Sequence, residues 1–227
     1  MRVLAIDTAL GACSAAVLDT AYGGIVASES VPMVRGHAEA LMPLLARVMK
    51  ESGMAFRDID RVVVTTGPGS FTGLRVGISA ARGIGLASEM PVVGVSTLSA
   101  YAAPYLGADD TSPVIAAIDA RHEHVYLQVF APGGRTLITP RLAPLSEAVR
   151  AASDSSACIV GSAALTVAGG LAKTAPAPVT IDARAAPDIA WVAQIGTVVS
   201  EASSPPKPQY LRAPDAQPQN AAQLPRR

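Results

Sequence analysis

Apolar residues alternate with small or polar ones through "RVLAID" and "ACSAAVLD", a period of two that predicts a β-hairpin, and "GGIVASESV" supplies a third antiparallel strand. On the middle strand, Cys13, Ala15 and Val17 mark one face. The period then changes. In "GHAEALMPLLARVMKESG", Leu41, Leu44, Leu45, Val48 and Met49 fall in one stripe, with Glu39, Arg47 and Lys50 off it. That is the spacing of an amphipathic helix, and Gly53 is its stop signal. Pro43 lies inside the pattern and lacks a backbone donor, which predicts a kink or an irregular first turn.

Further along, "RVVVTT" is a short, fully apolar strand, Leu74 to Ala87 a helix and "PVVGVS" another strand. A strand–helix–strand order implies parallel pairing. The helical piece "TLSAYAAPYL" closes this half. The opening pattern then returns: "AID" at residues 5–7 recurs at 117–119, an offset of 112 residues. The same offset sets Cys13, Ala15 and Val17 against Val125, Leu127 and Val129. Such a duplication predicts two related α/β lobes, each opening with a hairpin. After it come a helix at "LSEAVRAAS", a strand and turn at "CIVGSAA", and a last amphipathic helix in "PDIAWVAQIGTVVSEAS" with Asp188 as its N-cap. Residues 213–227 ("APDAQPQNAAQLPRR") hold too little apolar surface to order themselves. The expected organisation is therefore a lobe over 1–105, a second over 106–212 and a disordered tail.

Composition narrows the function classes. Half of the 227 residues are apolar, yet no run approaches the roughly 18 apolar residues of a membrane span, and no charged-then-apolar signal segment precedes the first strand. A soluble, cytoplasmic protein without membrane contact is expected. Cys13 and Cys158 stand apart, as reduced thiols do in a reducing compartment. Formal charge is zero and the basic residues are scattered, so the chain lacks the electrostatic footprint of a protein that grips nucleic acid alone. A role in RNA chemistry would need a partner.

The stretch "GPGSFTGLRVG" invites a phosphate reading and fails it. A P-loop needs a Lys and a hydroxyl after its last glycine, whereas Leu74 and Arg75 follow Gly73. The dinucleotide fingerprint is missed by one residue, because the glycines are Gly67, Gly69 and Gly73, and Glu89 precedes the next strand instead of ending it. Ser70 lacks the flanking pattern of a nucleophile elbow. His122 and His124 share one face of a strand at a spacing that can ligate metal, but a polar, exposed turn is the simpler reading; His37 has no H-E-x-x-H around it. The helix after the loop is more informative: Gly73, Gly77, Ala81 and Gly85 recur every four residues, and each helical glycine costs about 1 kcal/mol relative to alanine. This row admits a close neighbour, either another helix of the same lobe or a partner protein.

Read in order, "LAIDTALGACSAAVLD", "RGHAEALMPLL", "GPGSFTGLRVGISAARGIGLA", "VVGVSTLSAYA", "AAIDARHEHVYLQVF" and "PQYLR" resemble the TsaB (YeaZ) family of tRNA threonylcarbamoyladenosine biosynthesis proteins over residues 1–212. The resemblance implies an α/β, two-lobed actin-like ATPase (ASKHA) fold with duplicated ribonuclease H-like lobes and mixed sheets. It implies a non-catalytic paralogue of the transferase TsaD. With TsaD and the ATPase TsaE, such a subunit supports threonylcarbamoyl transfer from threonylcarbamoyl-AMP to the adenosine beside the anticodon, meeting tRNA only through the complex. Thr97 and Tyr101 stand where TsaD carries metal-binding histidines, so no catalytic residue, metal or cofactor is expected here. Family members pair with TsaD through two helices of the first lobe. Carried over, that implies Leu41, Leu45, Val48 and Met49 on one helix and Gly73, Gly77, Ala81 and Gly85 on the other, with the turns that face the sheet left open. The same row could pair two copies when TsaD is absent. Asp7 and Thr8 fall where ASKHA kinases hold phosphate-contacting residues, though Asp7 is by default a strand-end turn residue. The alternatives are a small ASKHA kinase or an M22-like peptidase.

Overall fold

The structure is a computed structural model that describes residues 1–107 and 111–212, so the expected tail over 213–227 lies outside the described residues. The predicted three-stranded meander is β1 (Arg2–Asp7), β2 (Ala12–Asp19) and β3 (Gly24–Pro32). It is followed by α1 (His37–Ser52), β4 (Arg61–Gly67), α2 (Phe71–Ala87) and β5 (Val92–Ser96). The strands form one sheet in the order β3-β2-β1-β4-β5, with β4 and β5 parallel to β1. Beyond α3 (Thr97–Ala102) the plan repeats as β6 (Val114–Asp119), β7 (His124–Phe130), β8 (Thr136–Pro144), α4 (Leu145–Ser153), β9 (Cys158–Val160), α5 (Ala164–Gly169) and β10 (Thr180–Asp182). The second sheet runs β8-β7-β6-β9-β10, the order of the first.

Alternation along the strands decides what covers each face. Leu4, Ile6, Cys13, Ala15 and Val17 pack under α1 and α2. Val3, Ala5, Ala16 and Val63 point the other way, where α6 (Ile189–Val198) covers them from the far end of the chain. Asp188 caps that helix as expected, accepting the Ala190 N–H at 2.9 Å. Its C-terminal carbonyls, Gly196 O and Val199 O, accept from the Arg61 guanidinium at 2.9 Å each. In return α3 crosses to the second sheet, where Leu98 and Tyr101 join Val114, Ala116 and Ile118. The lobes exchange helices, so a division at residue 105 separates the sheets but not the cores.

The internal repeat is real and one residue out of step. Cys13, Ala15 and Val17 face the first outer core, and Val125, Leu127 and Val129 face the second, as the 112-residue offset requires. The strands before them slip. Leu4 and Ile6 are the outer-core residues of β1, whereas Ile115 and Ala117 hold that place on β6. Because side chains alternate with period two, one residue of slip sends each "AID" aspartate to a different face. Asp7 is buried and Asp119 is exposed.

Local departures have local causes. The helix α1 is unbroken across Pro43, which sits on its exposed side, where a carbonyl without its intrahelical partner meets water. The helix α2 starts at Phe71, earlier than the apolar period shows, because Ser70 caps it by accepting the Gly73 N–H at 3.3 Å. The elements β8, α5 and β10 carry no clear sequence signal: one is a largely exposed edge strand and the others are very short.

Candidate functional site

The carboxyl ends of β1, β4 and β5 lie beside α3, which packs on the second sheet; this is the end at which open α/β sheets bind ligands. Asp7 lies there fully buried, with Oδ1 accepting from Thr65 Oγ1 and from the Ala9 N–H. Burial raises its pKa above the ordinary value, against the lowering effect of those hydrogen bonds. Asp7 Oδ2, Ser96 Oγ and Thr97 Oγ1 are buried without a hydrogen-bond partner among the described residues. Tyr101, 1 % exposed, donates its hydroxyl to Arg184 O at 2.8 Å. Burial and the nearby Asp7 push that phenol's pKa up, so it stays neutral. Thr97 and Tyr101, the positions matched to TsaD's histidines, are thus packed inside the chain.

The glycine loop approaches the chain's own backbone. Ser70 N–H donates to Ala9 O at 2.7 Å, and Thr8 Oγ1 donates to Gly73 O at 2.7 Å, pinning the first turn of α2 to the β1–β2 turn. A Cβ on Gly73 would overlap Thr8 O, one on Gly77 would stand 2.5 Å from Thr8 Oγ1, and one on Gly85 would overlap Val92. Ala81 is fully buried in the same core. The small row expected at a partner interface therefore faces the chain's own sheet, and the glycines are explained by that close approach. On α1 the correction is the same: Leu41, Leu45, Val48 and Met49 are no more than 5 % exposed and belong to the outer core.

What these helices leave outward is a different set. Met42 is 54 % exposed, and Ala46 beside it is also exposed. Arg47 turns to the other flank, where it pairs with Glu29 of β3 at 2.7 Å. On α2, Val76 and Ala80 are half-buried against the outer core, Leu86 is 84 % exposed, and a Cβ on Gly83 would meet nothing within 4 Å. Among the described residues, Gly83 is the one α2 glycine with no close neighbour to explain it. Helical periodicity finds the buried stripe and leaves Gly83 off it, but does not say whether the chain's own sheet or a partner meets the stripe that holds Gly77 and Gly85.

A second feature missed in the sequence is the segment after α6. Ser204 O accepts the Gly94 N–H and Thr66 O accepts the Gln209 N–H, both at 2.7 Å, so residues 203–209 strap across the ends of β4 and β5. A Cβ on Gly94 would stand 2.8 Å from Pro205 O. Beyond the strap, Arg212 Nη1 donates to Ala120 O of the second lobe at 3.1 Å. His122 and His124 are exposed at the β6–β7 turn, where Arg121, His122 and Glu123 all have positive φ (63°, 51° and 57°). His37 is buried, with Nε2 3.1 Å from Leu10 O. Among the described residues, no three His, Cys, Asp or Glu side chains gather as a metal site would require.

Two sheets of identical order with helices exchanged between them define a two-lobed, duplicated α/β protein. Comparison with known proteins gives the particular family. A family profile described as "TsaD: tRNA N6-adenosine threonylcarbamoyltransferase" matches residues 12–181. The chain is 40 % identical over 126 residues to "tRNA threonylcarbamoyladenosine biosynthesis protein TsaB" of Escherichia coli, covering 56 % of this chain and 53 % of that protein. It is 34 % identical over 221 residues to the uncharacterized protein Rv3421c of Mycobacterium tuberculosis, covering 95 % and 94 %. "YeaZ from Pseudomonas aeruginosa" superposes with a TM-score of 0.76 at 28 % identity, over 92 % of this chain and 99 % of that one. The chain belongs to the TsaB/YeaZ family, although it aligns to only about half the length of the E. coli relative.

Proposed function

We propose that this protein is a non-catalytic subunit of the machinery that forms threonylcarbamoyladenosine in tRNA. In this reading it is a partner of TsaD, with TsaE completing the complex, in the cytoplasm. The tRNA role comes from the family, whose E. coli member is a "tRNA threonylcarbamoyladenosine biosynthesis protein". One observation carries the partner role: α1 and α2 present an outer face of exposed Met42 and Ala46, half-buried Val76 and Ala80, and the open Gly83. A helical glycine with nothing above it costs about 1 kcal/mol, a loss that close approach of a partner helix would offset. Thr97 and Tyr101 support the non-catalytic reading, since neither side chain replaces an imidazole and both are buried.

The test is heterodimer formation with purified TsaD. Met42→Asp and Gly83→Arg place charge on the outer face without touching the core; each is expected to weaken TsaD binding by at least about tenfold, or 1.4 kcal/mol, with the fold intact by circular dichroism. The isolated chain is expected to transfer no threonylcarbamoyl group, and addition of TsaD and TsaE to restore the reaction. Unchanged TsaD affinity in both variants would move the interface elsewhere; transfer by the chain alone would make it an enzyme.

A further inference from the structure

The flank of α2 turned away from α1 carries a feature that the pairing face does not use. Phe71 and Tyr210 are each 44 % exposed, their ring centroids 5.2 Å apart. The Arg75 guanidinium lies 3.8 Å over the Phe71 ring, and its Nε donates to the Tyr210 hydroxyl at 3.3 Å. Two large aromatic rings and a guanidinium are thus held together at the surface instead of in a core. Tyr210 is held from both sides by bonds that do not involve its ring: the Gln209 N–H to Thr66 O, and Arg212 to Ala120 O. At about 100° per residue, Phe71, Arg75 and Arg82 fall within roughly 40° of one another, while Val76 and Ala80 lie more than about 100° from that flank. Gly83 and Arg82 line one groove, so the partner face and the ledge adjoin there.

Charge selects the chemistry of the occupant. The sequence carries no Asp or Glu between Asp60 and Glu89 and none over 202–212, while Arg75, Arg82, Lys207 and Arg212 fall in those stretches. Arg82 shares a groove with Glu89 and with Pro206 of the strap, so the strap runs beside this flank. These two stretches thus carry cations and no carboxylates, and Arg75 lies directly against the exposed aromatic pair. Polyanions with flat apolar faces fit this arrangement: unpaired RNA, whose bases stack on aromatic and guanidinium planes and whose phosphates seek Arg and Lys.

We infer that Phe71, Arg75 and Tyr210 form a ledge that stacks an unpaired base of the RNA substrate, with Arg82 and Lys207 serving neighbouring phosphates. This rests on the reading of the chain as part of a tRNA-modifying complex. The probe is a fluorescent anticodon stem-loop RNA with an unmodified adenosine beside the anticodon, compared with a fully paired hairpin of equal length. Anisotropy titrations use the full chain alone and, separately, mixed with TsaD. Wild type is expected to prefer the stem-loop. Tyr210→Ala should lose about tenfold in affinity, Tyr210→Phe should retain the wild-type value, Arg75→Gln should weaken binding, and Arg82→Gln should reduce the salt slope by about 0.7. Loop-dependent binding that needs Tyr210 upholds the ledge, even where no heterodimer forms and the proposed function falls. Heterodimer formation with no effect of Tyr210→Ala or Arg75→Gln overturns the ledge and leaves that function standing. Equal affinity for the paired hairpin, no detectable RNA binding in either format, or a Tyr210→Ala variant that instead loses TsaD would also overturn it.

Discussion

Two glycines of α2, six residues apart, should respond oppositely to the same added methyl group. At Gly77 the new Cβ would stand 2.5 Å from Thr8 Oγ1 and 3.5 Å from Val64 Cγ2, between a packed strand and a hydroxyl that donates to Gly73 O. Replacing glycine by alanine gains about 1 kcal/mol of helix propensity. Overpacking costs about 1–3 kcal/mol, and disturbing the Thr8 hydrogen bond about 1 more, so Gly77→Ala should lose about 1–3 kcal/mol net. At Gly83 nothing lies within 4 Å of the new Cβ, and the propensity gain of about 1 kcal/mol stands alone. In a protein of this size 1 kcal/mol shifts Tm by about 2–4 °C, so the variants should separate by roughly 5–15 °C, Gly83→Ala above wild type and Gly77→Ala below it. Differential scanning calorimetry with parallel urea unfolding measures both. If Gly77→Ala proved as stable as Gly83→Ala, α2 would not press its glycine row onto the β1–β2 turn, and the assignment of inner and outer faces would fail.

Two carboxylates should give opposite pH signatures. Asp7 has a folded pKa raised above 3.8 by burial, so its contribution is full below that value and is lost as pH rises through the folded pKa; Asp7→Asn should gain on wild type in Tm as pH climbs above about 4. Burial works to raise the pKa of Asp182 too, but hydrogen bonds from Arg184 and Tyr105 outweigh it and hold the pKa below 3.8. Asp182→Asn should therefore be destabilised at neutral pH, with the deficit shrinking as acidification protonates the wild-type carboxyl, a contrast readable in Tm against pH. Burial, with Asp7 and Glu29 nearby, pushes the Cys13 thiol up to about 11, so a thiol-reactive dye should label it only at the rate of unfolding. Faster labelling in native buffer would contradict its burial. The losses of TsaD binding expected for Met42→Asp and Gly83→Arg, and of stem-loop RNA for Tyr210→Ala, complete the set.

Much of the architecture was legible because covalent neighbours carry it. The period of two in the opening hairpin, the 3.6-residue stripe of Leu41 to Met49, the apolar "RVVVTT" and the Asp188 cap are local signals, and each element forms where its pattern lies. The repeat was also visible, and it predicted two lobes of one plan. The one-residue slip between the "AID" segments was not visible, because both registers present similar apolar residues and the choice between faces is made by the helices packed against them.

The candidate site was decided by contacts between residues distant along the chain. Helical periodicity shows that Gly73, Gly77, Ala81 and Gly85 share a face, yet it gives no direction in space. Only the packing of Thr8 against that face turns it inward and leaves Gly83 and Met42 outside. The strap over β4 and β5 and the meeting of Phe71 and Arg75 with Tyr210 join segments more than a hundred residues apart, and the exchange of α3 and α6 between lobes is likewise made by packing. The sequence by itself determined which elements form and that the plan is duplicated, because those depend on near neighbours. The tertiary structure alone decided which faces are spent on the chain's own core and which stay exposed, because burial is a property of the folded whole.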